Sequence, residues 1–299
     1  MKMFGALVID KPSGWTSHDV VARMRRLAAT RRIGHLGTLD PMATGVLPLL
    51  IGPATRLARY FAGEEKIYEG VIRFGFSTST YDAEGEATSE PVPYTIDRDA
   101  IEDLIVQRFL GEIQQMPPAV SAKKIGGTPA YKLARQNKPV ELQPVAVTVH
   151  EFRILGAVAD RLTVRVRCGP GTYVRSLAHD LGAAVGVGAH LESLRRHASG
   201  SFTLVSAITL EDAAQLSAEG LLREKLVPAA ELLPEIPAEI VDETLIRNIR
   251  EGRDFNASPF LNTGNSSLLK AVSRAGDLIA IGERKLHRLY HPAIVFPAE

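Results

Sequence analysis

Residues 161–168, RLTVRVRC, alternate without a break: Leu162, Val164, Val166 and Cys168 fall on one side of an extended chain, Thr163, Arg165 and Arg167 on the other. Successive side chains of a strand point to opposite faces, so this segment requires a sheet with one face in a core and the other positively charged. The other extended segments fit around it. FGALVIDKPSGW reads as a buried strand that runs into a Pro/Gly turn, and GVLPLLIGPATRLARYF as an apolar strand, a turn and a short helix. IYEGVIRFGF and VAVTVHEFRIL are further strands.

Helices alternate with these strands. Thr16 or Ser17 caps a helix whose Val20, Val21, Met24, Leu27 and Ala28 recur at helical spacing. Asp97 caps a second, with Ile101, Leu104, Ile105 and Phe109 as its stripe. GTYVRSLAHDLGAAVG opens a third, with Thr172 as cap and Val174, Leu177, Ala178 and Leu181 as the buried row. The class is mixed α/β.

PAAELLPEIPAEI, at residues 228–240, reads as a linker. Beyond it come a short helix in ETLIRNIREGR, stopped by Gly252, and a β-hairpin around Ala275-Gly276-Asp277. The expected organisation is therefore a first domain over 1–232 and a small β-rich second domain over 236–299. Residues 112–140, rich in Pro, Gly and cations, read as a long functional loop or small inserted lobe.

The 299 residues are 45% hydrophobic and 23% charged, the balance of an ordinary water-soluble chain with a sizeable core. A net charge of +1 removes any global field that would attract nucleic acid, so such a partner would need a local patch. RMRRLAATRR supplies one: Arg23, Arg25, Arg26, Arg31 and Arg32 with no acid among them, a solvated helix face or a row of phosphate contacts. Cys168 is the only cysteine, which excludes an internal disulfide and a multi-cysteine metal site and suits a reducing compartment. No stretch approaches the ~20 apolar residues of a membrane span, and the expected location is the cytoplasm.

One acid stands apart. In RRIGHLGTLDPMATGVLP, Asp40 is the only carboxylate, with Gly34, Gly37 and Gly45 around it and His35 five positions before. An Asp-Pro turn explains it locally; a functional acid in such a place needs a fixed partner. Arg175 lies at a helix start, where the macrodipole disfavours a cation, and its position suggests a specific anion beside it. Tyr68 is either a core tyrosine on its strand or an aromatic platform, and His35 either a capping or core histidine or a functional one. His287 and His291 stand four apart, as two metal ligands on one helix would, but no acid or cysteine completes a set, and CGPGTYVR lacks the spacing of a phosphate loop.

GHLGTLDPMATGVLPLLIG resembles the central motif of the TruB-type pseudouridine synthases, which isomerise the T-loop uridine at position 55 of tRNA. KPSGWTSHDVV, KIYEGVIRFG, MPPAVSAKKIGGTPAYKLAR, CGPGTYVRSLAHDLG and HLESLRRHASGSF occur in that family's order, over roughly residues 5 to 210. The resemblance implies a catalytic domain around a twisted, largely antiparallel sheet, a thumb-like insert near 112–140 and a C-terminal PUA-like domain. It implies Asp40 as nucleophile, Tyr68 stacked on the target base and Arg175 paired with the carboxylate. His35 would enter the T loop, and Tyr173 and Leu194 would line the uracil pocket. The arginines of residues 23–32 would meet phosphates of the tRNA T stem-loop.

No cofactor, metal or obligatory protein partner is implied, and a monomer is expected. Where relatives carry an aromatic before the serine of PPxYSALK, this chain has Val120, with Lys123 further on. Two other readings share these features: a tRNA-binding or tRNA-folding module without catalysis, and a guide-RNA-dependent relative.

Overall fold

A computed structural model describes residues 3–119, 124–125, 128–129 and 142–297. Seven strands form the spine of a main sheet that has eleven among the described residues: β1 (Gly5–Lys11), β2 (Thr44–Ile51), β3 (Lys66–Phe74), β4 (Gly111–Gln115), β5 (Val145–Val158), β6 (Arg161–Cys168) and β7 (Ala189–Ser199). Their spatial order is β1-β2-β7-β3-β6-β5-β4, with Ala207–Ile208 added beside β1. The pairs are antiparallel except β2 with β7 and β1 with Ala207–Ile208.

Burial divides this sheet into two halves. In β1, Leu7 and Ile9 face the helices α1 (Ser17–Leu27), α3 (Val174–Val185) and α4 (Leu210–Ala218), while Ala6 and Val8 face a second core on the opposite side. A strand covered on both faces must be apolar throughout, which is why GALVI is a continuous run. In β6, Leu162, Val164, Val166 and Cys168 join the first core, and Arg165 and Arg167 face outward to pair with Glu69 and Glu65. The alternation of RLTVRVRC thus reports a half of the sheet covered on one face only.

The helix caps follow the chemistry of their residues. Thr16 caps α1 in a full capping box with Asp19, and Asp97 caps α2 (Arg98–Arg108). Thr172 does not cap α3, contrary to the sequence reading. Its hydroxyl turns back to the Gly169 carbonyl at 3.0 Å, and Tyr173 takes the cap position, where its side chain does not cap the helix. The Tyr173 backbone N–H instead donates to Gln115 Oε1 at 2.8 Å.

The second sheet comprises β8 (Ala238–Val241), β9 (Leu268–Ser273), β10 (Leu278–Leu286) and β11 (Leu289–Val295), with Phe255–Asn256 at one edge and α5 (Glu243–Arg250) against one face. The hairpin of β9 and β10 turns through residues 274–277, as its Ala-Gly-Asp composition predicts.

Residues 228–240 are not the free linker expected from their prolines. Ala229, Leu232, Leu233 and Ile236 are buried in the second core, beside Val8, Leu50 and Leu57 of the first sheet's side and Leu278, Ile281 and Ile294 of the second's. Apolar residues between the prolines give this segment a buried face, and its carbonyls are satisfied by Lys270. Of the expected insert at 112–140, residues 120–123, 126–127 and 130–140 lie outside the described residues, and the departure at Val120 and Lys123 lies there too.

Candidate active site

The loop between Ile33–His35 and β2 carries Asp40, and its shape is imposed from beneath by buried donors. Lys11 Nζ donates to the carbonyls of Pro12, Trp15 and Pro41 at 2.9, 2.6 and 3.0 Å. Arg196, on β7, donates from Nε to Val46 O at 2.7 Å and from Nη2 to Gly37 O at 3.1 Å. Ser17 Oγ accepts the Leu39 N–H at 2.9 Å. Lys11, Ser17 and Arg196 are all buried. A buried carbonyl without a donor costs free energy, so these cations fix the path of the loop.

Gly45 lets the loop enter β2. Its φ is +99°, and a Cβ there would stand 2.2 Å from the Arg196 carbonyl oxygen. Any other residue would separate β2 from β7 and move Asp40 with it.

Arg175, in the first turn of α3, meets Asp40 across 135 positions of sequence. Its Nη2 donates to Asp40 Oδ1 at 3.1 Å, and its Nε stands 2.9 Å from Oδ2. One contact is a hydrogen bond and the other an ion-pair approach, and together they hold both carboxylate oxygens against the guanidinium. The Arg175 side chain is 5% exposed and that of Asp40 34%, so the acid is reachable from outside and its partner is not.

Arg175 also holds Asp82, at 3.3 Å from Nη1, and donates from Nη1 to the Thr80 carbonyl at 2.9 Å. Two carboxylates therefore share one guanidinium. Burial pushes the Asp40 carboxyl above the ordinary carboxylate range; Arg175 opposes that and the Asp82 charge adds to it. Asp82 is buried and accepts from Thr80 Oγ1 and the Glu84 N–H. Sequence reading missed it because it sits in a turn-rich polar passage where acids are common.

Tyr68, on β3, is buried in the first core beside Arg196, the residue that shapes the Asp40 loop and whose charge acts on the Tyr68 phenol. Burial raises its pKa, so the phenol is protonated at neutral pH. Leu194 faces Gly70 of β3 across the β7 pairing and lies in the same core as Tyr68. Tyr173 directly precedes α3 and is held by Gln115 in both directions: its N–H donates to Oε1, and Gln115 Nε2 donates to its carbonyl at 3.0 Å. Ser176 Oγ donates to Met116 O at 2.7 Å. The helix that carries Arg175 is thereby tied to the chain that enters the 120s.

His35 is half-buried beside His18, with ring centroids 5.7 Å apart and edge to face. Burial lowers its pKa and the His18 charge acts the same way, so both effects favour a neutral imidazole. Arg25, Arg26, Arg31 and Arg32 are exposed and Arg23 is half-buried, along α1 and the loop after it. Lys11, Arg196, Gln115 and Asp82 are the residues that sequence reasoning had not singled out. Lys11 and Arg196 lay inside quoted motifs, and nothing in their types announced burial.

Among the described residues, no group of three or more His, Cys, Asp or Glu could hold a metal ion. No helix among them is long and apolar enough to cross a membrane.

A reachable carboxylate, fixed by a buried guanidinium on the helix-covered side of a largely antiparallel sheet, defines a site built to present one charged oxygen. The whole fold is shared with known structures. One, described as an H/ACA RNP bound to a substrate RNA containing 2'-deoxyuridine, aligns with a TM-score of 0.74 at 24% identity, over 99% of this chain and 86% of that one. Another, a Cbf5-Nop10-Gar1 complex, aligns at 0.71 and 25% identity, over 99% and 84%.

The model of the TruB family pseudouridylate synthase N-terminal domain matches residues 25–174, and that of the tRNA pseudouridylate synthase B C-terminal domain matches residues 175–234. The chain belongs to the TruB family of pseudouridylate synthases. Its relatives include the tRNA pseudouridine synthase B of Solibacter usitatus (strain Ellin6076), 55% identical over 98% of this chain and 100% of that one. That of Thermobifida fusca (strain YX) is 52% identical over 70% of this chain and 74% of its own.

Proposed function

We propose that this protein isomerises the T-loop uridine at position 55 of tRNA to pseudouridine, with Asp40 as the nucleophile. The observation that carries the reading is the Asp40–Arg175 pair: a carboxylate one third exposed, gripped at both oxygens by a buried guanidinium. The isomerisation breaks the bond from N1 to C1′, turns the uracil and joins C5 to C1′. The C5 proton is released and N1 takes one up, so there is no net redox change. Asp40 serves either by attack on C1′ or by a route through a glycal; in both it must be ionised.

Extruding the base costs a few kcal/mol, and an aromatic platform returns ~1–3 kcal/mol per stacked base. Tyr68 provides that platform and relays the C5 proton, passing on its own phenolic proton as it accepts one, Leu194 and Tyr173 line the uracil pocket, and His35 fills the space the base leaves in the T loop. Arg23, Arg25, Arg26, Arg31 and Arg32 contact phosphates of the T stem, a role that positions the RNA without reading its sequence. Residues 1–232 act as the catalytic domain and residues 236–299 as a PUA-like RNA contact. The protein works as a monomer in the cytoplasm, without cofactor, metal or obligatory partner.

The fold likeness to the H/ACA complex favours one second reading, dependence on a guide RNA. Incubation of the purified protein with an unmodified tRNA transcript, without guide RNA, separates the two. Pseudouridine mapped at position 55 and at no other uridine is the expected result. Conversion only after a guide RNA and partner proteins are added would replace the proposal with the second reading.

A further inference from the structure

Tyr81 holds a φ of 64°, in the left-handed region that penalises a bulky side chain and persists only where the surroundings impose it. It stands immediately before Asp82. Its ring lies flat on His179, with centroids 3.8 Å apart and planes 13° from parallel. His179 follows Arg175 by four positions on α3, so both project from one face of that helix.

Three successive groups of the loop therefore dock on the same helix face: the Thr80 carbonyl and the Asp82 carboxylate on Arg175, and the Tyr81 ring between them on His179. The opposite side of the loop is fixed to β7. The Leu191 N–H donates to Tyr81 O at 3.0 Å, and the Ala83 N–H donates to Leu191 O at 3.0 Å. His179 contributes here through its ring face. Its Nδ1 is buried without a hydrogen-bond partner, and burial lowers its pKa, which keeps the imidazole neutral at pH 7.

We propose that the Tyr81–His179 stack is the positioning element of the acid–arginine network. It holds the chain at 81 in the left-handed turn that presents Asp82 to Arg175, and through Arg175 it sets the orientation of Asp40. Neither residue touches the reacting atoms. The inference rests on the reading of Asp40 and Arg175 as the reacting pair.

The test compares His179→Ala, His179→Phe, Tyr81→Phe and Tyr81→Gly in single-turnover release of tritium from C5-labelled uridine in a T stem-loop RNA, with RNA affinity measured alongside. Displacing a positioned group by a fraction of an ångström lowers the rate without loss of binding, so His179→Ala should fall about tenfold in rate with its RNA Kd within about twofold of wild type. His179→Phe and Tyr81→Phe keep the stack and should stay within about twofold of wild type. Tyr81→Gly relaxes the backbone but removes the ring, and should fall with His179→Ala.

A role confined to helix packing would lower the melting temperature of His179→Ala and leave the rate per folded molecule unchanged, which would overturn the proposal. So would a His179→Phe protein as slow as His179→Ala. If wild type itself releases no label, the reading of the reaction fails, and the inference is judged on the carbon-13 titration of the Asp40 carboxyl. That midpoint should move in His179→Ala and return in His179→Phe; an unmoved midpoint would refute it.

Discussion

The loop that carries Asp40 and the segment at residues 229–236 are both irregular, and both are pinned by buried cations that donate to backbone carbonyls. At the loop, Lys11 ties the Pro41 carbonyl to those of Pro12 and Trp15 in the turn after β1, and Arg196 binds the carbonyls of Gly37 and of Val46 in β2. In the segment, Lys270 Nζ binds the carbonyls of Ala230, Leu232 and Leu233 at 2.9, 3.1 and 3.2 Å. The difference is Arg175. The loop alone adds a cation whose partners include two carboxylates, one of them a third exposed. A buried cation that meets only carbonyls fixes shape; one that meets carboxylates at a reachable surface also sets charge.

Arg175→Lys separates those two roles most sharply. Lysine keeps the charge but cannot hold both oxygens of Asp40, and the single-turnover rate should fall by about 10²–10³ with little change in RNA affinity. A rate within a few-fold of wild type would mean that charge alone suffices.

Arg196→Met should weaken both properties at once, since it removes the side-chain donors from the carbonyls of Gly37 and Val46 and frees the loop. About 3 kcal/mol of stability in urea unfolding and about tenfold in rate per folded molecule are expected. Lys270→Met should cost about 2 kcal/mol of stability for the same reason, yet leave the rate per folded molecule unchanged. Equal kinetic effects from these two substitutions would erase the distinction between the two segments.

The finest test is pH. The Asp40 carboxyl titrates above the ordinary range because of burial, with the Asp82 charge adding to the effect. The reaction needs the ionised form, so the rate should decline as pH falls through that raised midpoint. Asp82→Asn removes a like charge and lowers the Asp40 pKa, so the acid limb of the rate profile should move to lower pH, measured under single-turnover conditions. An unmoved limb would uncouple the two acids.

Much of this was legible in the sequence, for physical reasons. Strands with a strict period, such as RLTVRVRC, announced which face was covered, and side-chain caps at Thr16 and Asp97 announced where helices begin. Strand β7 did not declare itself. Register shifts after Leu191 and after Arg196 break its alternation, so the period of two is lost in the very strand that carries Leu194 and Arg196.

The same limit applied to the site. Asp40 was visible because it is a lone acid among glycines, and Arg175 because a cation in a first helical turn needs an anion. Asp82, Lys11, Gln115 and Arg196 were not, since each owes its role to burial that only the tertiary fold creates. The prolines at 228–240 suggested a linker, and the apolar residues between them turned out to face a core.

Tritium release by Asp40→Asn bears on the whole account. The substitution keeps shape and removes the charge, so the protein should bind the T stem-loop RNA within about threefold of wild type and release no label from C5, while wild type releases it. Release by Asp40→Asn at a rate near wild type, or tight binding by both proteins with release from neither, would contradict it.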